Sequence, residues 1–225
     1  MRFARVVLPG CPHHVLARGN RKARVFGDDS DRLVYLRLMR QACNDCHVSI
    51  WAHALMDNHV HLVAVPEQPD SLAKMIKEAH EAYTRYFNTK YGLVGHAWHN
   101  RFKSFPMEWT HCLNAIRYVE RDPVRALMVN QAEDYLWSSA AAHCGLRNDM
   151  LLSGDCPLIK EILNWSEWLR IQSTKNTDDE IRRHTRTGRP FGPNEFLVKA
   201  EILTGRHLLP QKRGPRFKSK PNATN

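Results

Sequence analysis

VSIWAHALMDNHVHLVAV, residues 48–65, is the stretch that decides the fold. Val48 to Leu55 and His59 to Val65 are rich in β-branched and apolar residues, and Met56-Asp57-Asn58 between them is short enough to turn a hairpin. Two neighbouring strands are expected here. Upstream, Leu33, Leu36, Met39 and Cys43 recur at helical spacing between Asp28 and about Cys46, with Asp28, Asp29 and Ser30 available to cap the start. Farther upstream, Val6 to Leu8 and then Val15-Leu16 predict a strand broken by a Pro9-Gly10 turn. Downstream, Ser71 precedes Leu72, Met75, Ile76 and Ala79, a helical stripe that runs to about Tyr91 and stops at Gly92. His99 to Met107 reads as a strand and Trp109 to Arg121 as a helix. The order strand, helix, two strands, helix, strand, helix predicts an α+β sandwich, its mainly antiparallel sheet covered by helices on one face. After Pro123 the pattern gives a short amphipathic helix at Leu158 to Leu169, a polar linker at Lys175 to Asp179 and a helix at Glu195 to Leu203.

The chain has 225 residues, 43% of them hydrophobic and 25% charged, a globular composition that excludes a long disordered chain. No apolar run approaches the roughly 20 residues of a membrane span, and MRFARVVLPGCPHH lacks the apolar core of a signal peptide. A cytoplasmic protein with no membrane partner is expected. The net charge of +10 points to a polyanion such as nucleic acid, and hence to association with the nucleoid. Residues 176–225 hold 11 Lys+Arg against 5 Asp+Glu, so more than half of the excess lies in less than a quarter of the chain. The last stretch, QKRGPRFKSKPNATN, has five basic residues, no acid, two prolines and a glycine, and reads as a flexible basic tail. The division expected is a catalytic domain at 1–145, a helical extension at 146–211 and the tail at 212–225.

Six cysteines include Cys43-Asn44-Asp45-Cys46-His47, which fits a c-type haem attachment pattern. Haem is rejected, because attachment belongs to exported proteins and the motif falls at a helix end. Structural zinc normally takes four ligands and no second pair is convincingly placed, so buried free thiols are the expectation. His14, beside a strand, is expected to be hydrogen-bonded rather than a ligand.

His59-Val60-His61 differs because of its setting. Residues two apart on a strand face the same way, so both imidazoles can reach one ion while Val60 points oppositely. Two imidazoles leave a divalent site incomplete, and Mg²⁺ or Mn²⁺ would want oxygen ligands beside them. Tyr118 and Asp122, four apart on a helix, present a phenol and a carboxylate on one face. Pro123 disfavours helical geometry at Asp122, so the helix should end there. A carboxylate at the negative end of the dipole calls for a metal or an arginine, and Arg125 is within reach along the chain. For nucleic acid, Arg18, Asn20, Arg21, Lys22 and Arg24 form a compact basic loop. Arg101 and Lys103 lie near Trp98, Phe102 and Phe105, Arg117 and Arg125 flank the phenol, and Lys212, Arg213, Arg216 and Lys218 stand in the tail. The three aromatics are expected to pack in the core.

Four ordered blocks, HHVLARGNRKARVF, HALMDNHVHLVAVPE, GHAWHNRFKSFPM and IRYVERDPVRALMV, resemble the REP-associated tyrosine transposases, in the single-tyrosine branch of the HUH endonucleases. The likeness covers about residues 1–145, and GRPFGPNEFLVKAEILTGRHLLPQKRGP is similar to the tail of many relatives. It implies a ferredoxin-like fold with the histidines on a central strand and the tyrosine on a helix beside it. It further implies cleavage of single-stranded DNA near REP-type hairpins, with a divalent metal, Mg or Mn, a covalent 5′-phosphotyrosine and no nucleotide cofactor. His59 and His61 would be metal ligands and Tyr118 the nucleophile. Asp122 stands where relatives usually carry the Asn of an Asn-Pro pair, and Asp57 stands where a proline is common. A competing reading is a domesticated DNA-binding or regulatory protein that keeps the fold without cleavage. Relatives include monomers and dimers, which leaves a homodimer open.

Overall fold

A computed structural model describes residues 5–171 and 174–209. Strands β1 (His13–Arg18), β2 (Val48–Met56), β3 (His59–Pro66) and β4 (Lys103–Pro106) form one antiparallel sheet in the order β2-β3-β1-β4. Helix α1 (Asp29–Cys46) joins β1 to β2, and α2 (Ser71–Tyr91) joins β3 to β4. This is the ferredoxin-like βαββαβ arrangement. The chain continues through α3 (Trp109–Glu120), α4 (Asp122–Arg125), α5 (Ala140–His143), α6 (Trp165–Arg170), α7 (Lys175–Thr187) and α8 (Asn194–Thr204).

The helix boundaries follow local chemistry. Asp28 accepts from the Asp31 amide while Asp31 accepts from Asp28, a reciprocal cap that opens α1. Gly92, at φ 62°, closes α2 in the left-handed conformation glycine adopts without strain. The hairpin of β2 and β3 turns at Asp57-Asn58, and the carboxylate of Asp57 ties that turn to Arg32 of α1 (2.5 Å) and to Arg24 (2.8 Å). An ionic clamp thus holds this turn.

Helices cover both faces of the sheet, not one. Val15, Val60, Leu62 and Ala64 face α1 and α2, whereas Ala52, Ala54, Val63 and Phe105 face α3 and Ile181 of α7. Strand periodicity alone could not show the second layer, because the covering helix α7 contributes only Ile181 and Thr185 as buried side chains. A bulge at Trp51 turns both Trp51 and Ala52 toward that second layer.

Other segments depart from expectation. Val6 to Leu8 is not a strand. Val6 and Leu8 instead pack with Ala200 of α8 and with Leu208, and the Leu8 amide donates to His13 Nε2. The strand expected over His99 to Met107 is only Lys103–Pro106. The helix expected over Leu158 to Leu169 is a 3-10 turn (Pro157–Glu161) followed by α6. Lys175 to Asp179, expected as linker, is the first part of α7, capped by Thr174. Cys43, Cys46, Cys112 and Cys156 are buried free thiols, and burial pushes Cys43 up to about 12. Among the described residues no helix is long and apolar enough to cross a membrane.

The later helices are anchored to α3 by a fully buried carboxylate. Glu120 accepts from Ser139 Oγ and from Trp165 Nε1 (2.7 Å), and lies 2.6 Å from His143 Nδ1. A buried carboxylate without such partners would be strongly destabilising, so the three donors hold α3 in one position.

Candidate metal and nucleic-acid site

Strand register assembles the site. Leu16 lies opposite His61, Arg18 opposite His59 and His14 opposite Val63, while Lys103 of β4 lies opposite Leu16. Cross-strand partners share a face, so His14, Arg18, His59, His61 and Lys103 all project from the same side of the sheet. Tyr118 and Asp122 come down onto that side from α3 and α4.

His59 Nε2 is 3.0 Å and His61 Nε2 3.6 Å from the same Asp122 oxygen, Oδ2. One ligand atom from each lies within 4.8 Å of the others, the one such group among the described residues. The amide of Asn58 donates to Lys22 O, which leaves its Oδ1 to accept from His59 Nδ1 at 2.6 Å. Nε2 of the same ring points at Asp122 Oδ2, where an N–H would donate to the carboxylate and a lone pair would bind an ion. The gap between these groups suits a cation, and two imidazole nitrogens with one carboxylate oxygen are a donor set a divalent ion accepts. Burial opposes ionisation of Asp122, but His59 and Arg125 outweigh it and hold the carboxyl below its usual range. Burial depresses His61 well below the ordinary imidazole value and His14 to about 3, so both rings are neutral near pH 7.

Asp122 is not at the end of a continuous helix. α3 stops at Glu120, Arg121 caps it, and Asp122 opens the new turn α4. Pro123 fits because the first turn of a helix has no use for its missing N–H. The carboxylate thus lies at the favourable end of a short helix, and Arg125 reaches back to its Oδ1 at 2.6 Å. The same guanidinium donates to Tyr118 O (2.7 Å) and lies 3.8 Å from the centre of the Tyr118 ring. Arg125 therefore braces the phenol against the carboxylate.

These groups line a cleft of about 510 Å³ together with Arg18, Lys103, Arg182 and Arg186. A second cleft, of about 480 Å³, shares Arg18 and Lys103 and adds Arg21, Lys22, His99, Asn100 and Arg101. Arg21, Lys22 and Asn100 all have φ between 52° and 61°, where side chains other than glycine are strained by about 1–3 kcal/mol each. Gly19 permits this loop, since a Cβ there would lie 2.2 Å from Ala23 O. Arg101 opens in turn onto a cleft of about 430 Å³ lined by His80, Trp98 and Phe102. Trp98 stacks on His80 at 3.9 Å and Arg5 lies 3.8 Å over Phe102. Cations beside aromatic faces suit unpaired bases and their phosphates. Trp98 and Phe102 are partly buried and pack against the core under α1 and α2, and Phe105 is fully buried, as expected.

A family model described as "Transposase IS200 like" matches residues 8–122, half of the chain, and spans β1 through Asp122. The chain belongs to the IS200-like transposase family. Among solved structures, this transposase is similar to a REP-associated tyrosine transposase bound to a REP hairpin, at 18% identity and a TM-score of 0.54. That match covers 69% of this chain and 92% of the other, and at such identity it shows a shared fold. A Deinococcus radiodurans R1 protein assigned provisionally to the transposases is 15% identical. It covers 54% of this chain and 97% of its own, at a TM-score of 0.38. No curated protein sequence matches the chain.

Of the residues expected at the transposase's DNA face, Arg18, Arg21, Lys22, Arg101 and Lys103 line connected clefts. Asn20 belongs to the same loop, its amide bonded to Ala97 O. Arg24 is taken up by Asp57, and Arg125 serves Asp122 and Tyr118. Arg117 is turned away, its guanidinium 5.0 Å from the Trp168 ring. Lys212, Arg213, Arg216 and Lys218 lie outside the described residues. Sequence reasoning missed Arg182, Thr185 and Arg186, which α7 brings to the cleft. The ending of α7, Arg182-Arg183-His184-Thr185-Arg186-Thr187-Gly188, offered a basic helical turn before a glycine stop as the signal.

Proposed function

We propose that this chain is a metal-dependent single-stranded DNA endonuclease and strand transferase that acts at REP-like hairpins through a 5′-phosphotyrosine on Tyr118. The observation that carries the reading is the convergence of His59, His61, Asp122 and Tyr118 on one cationic cleft. Family membership supports it, and so does the hairpin held by the structure of similar fold. His59, His61 and Asp122 would hold a Mg²⁺ or Mn²⁺ ion, which supplies polarisation of the scissile phosphate and neutralises its charge.

The protein's own groups do the rest. Arg18, Lys103, Arg182 and Arg186 attract and orient the phosphodiester, and Arg125 fixes the phenol beside the carboxylate. The Tyr118 oxygen attacks phosphorus, the bond from phosphorus to the 3′-oxygen breaks, the phenolic proton leaves to solvent and the released 3′-oxygen takes one up. One phosphodiester replaces another, so a 3′-hydroxyl can later reverse the exchange and join strands without a nucleotide cofactor. The strained basic loop and the Trp98 cleft would hold the unpaired flank of the hairpin.

Incubation with end-labelled REP-type hairpins and Mn²⁺ is expected to give a covalent adduct that Tyr118→Phe abolishes while hairpin binding persists. Hairpin binding by the wild type with no adduct across varied hairpins would instead make the chain a DNA-binding protein without nuclease activity.

A further inference from the structure

His14 is fully buried and touches no ion-pair partner, yet it bridges the metal-facing His61 and helix α7. Its Nε2 is 2.8 Å from His61 Nδ1, and its Nδ1 is 3.2 Å from Thr185 Oγ1. Thr185 Oγ1 is in turn 2.8 Å from the carbonyl oxygen of Ile181. The direction of every proton in this chain follows from its far end. A carbonyl only accepts, so the Thr185 hydroxyl spends its single proton on Ile181 O and has lone pairs alone to offer His14. His14 must then donate from Nδ1. A neutral imidazole carries one N–H, and a buried imidazolium with no carboxylate in contact would be costly, so His14 Nε2 is a bare acceptor. His61 must donate to it from Nδ1, which leaves the lone pair of His61 Nε2 facing Asp122.

We infer that His14 and Thr185 are positioning residues that lock His61 in its Nδ1–H tautomer and so keep Nε2 free to bind a cation. The inference rests on the metal-site reading above, but it concerns a proton arrangement that exists without metal or DNA. It also gives the C-terminal helix a chemical task, since the hydroxyl that sets the direction lies 171 residues from His14 along the chain. Partners that fix a ligating imidazole in this way typically govern metal affinity by 10–100-fold.

The test uses the full, metal-free chain with ¹⁵N-labelled histidines, read by long-range proton–nitrogen correlation near pH 7.5. His61 and His14 are both expected as Nδ1–H tautomers. In Thr185→Val the direction is lost, both rings are expected to shift toward mixed tautomers, and Mn²⁺ affinity is expected to fall on the order of 10-fold or more. Thr185→Ser restores a hydroxyl and is expected to restore both readouts. A wild-type His61 protonated on Nε2 overturns the inference, as does a folded Thr185→Val chain with unchanged tautomers and affinity. Should Thr185→Val not fold, the wild-type and Thr185→Ser tautomers decide. Failure of the nuclease reading would appear separately, as absent adduct with the tautomers as stated.

Discussion

Asp122 turns one oxygen toward His59 and His61 and accepts from Arg125 on the other, so its charge is shared between a cation site and the brace on Tyr118. Asp122→Asn keeps the size and one carbonyl oxygen but removes the charge. Calorimetric titration with Mn²⁺ is expected to show weaker binding, since ligand charge tunes hard-cation affinity. Unchanged affinity would place the ion elsewhere. Two other buried histidines set acid sensitivity. His13 donates from Nδ1 to Cys11 O at 2.8 Å and accepts the Leu8 amide on Nε2, and burial lowers it to about 4 despite the Cys11 bond, while burial lowers His80 to about 3. The unfolded chain therefore takes up these protons first. Stability is complete above about pH 6.5 and is lost as pH falls toward 4, by about 1.4 kcal/mol per pH unit for each group. His80→Phe should remove one such increment from the slope of urea midpoints between pH 6 and 4, and an unaltered slope would refute the assignment. At this scale the strand period alone puts His59 and His61 on one face, whereas Tyr118 and Asp122 were singled out through the family resemblance of their block, because the chain breaks between α3 and α4. The sequence concealed His14 and Thr185, whose roles come from partners far away in the chain.

Among the elements, those with strong periodic burial were legible, namely the hairpin of β2 and β3, α1, α2 and α3. α7 was hidden because it buries only Ile181 and Thr185 and exposes a run of charges that resembles a linker. Its attachment is correspondingly local. Ile181→Ala is expected to lower the opening free energy of α7 amides by about 2 kcal/mol in hydrogen exchange, with smaller effects in α1 and α2. Equal loss across all helices would mean that α7 belongs to a single cooperative core. The basic loop after β1 was legible in composition but not in shape. Its left-handed residues and the close approach at Gly19 are backbone properties that no charge pattern encodes. Gly19→Ala is therefore expected to displace Arg21 and Lys22 and weaken hairpin binding, measured by anisotropy, while the melting temperature changes little.

For the whole molecule, the excess of positive charge is not spread evenly. Lys103 borders both the cleft of the two imidazoles and the basic one beside it, and Arg101 joins the basic cleft to the one holding Trp98. The charge of the first 175 residues is small, yet its placement makes a connected cationic track. The five basic residues from Lys212 to Lys220 should add contacts to that track without shaping it. Removing Lys212 to Asn225 is expected to weaken hairpin binding and to lower the slope of log affinity against log salt by about 0.7–0.9 per lost phosphate contact. Identical slopes would assign the tail a solubilising part only. The wall formed by Arg182, Thr185 and Arg186 has a consequence in time as well as in space. A ribosome makes β1 and the histidine strand early and α7 more than a hundred residues later, so a nascent chain holds the two imidazoles long before it owns the wall opposite them. A message broken off before residue 175 would yield the sheet and the tyrosine with the cleft open on that side.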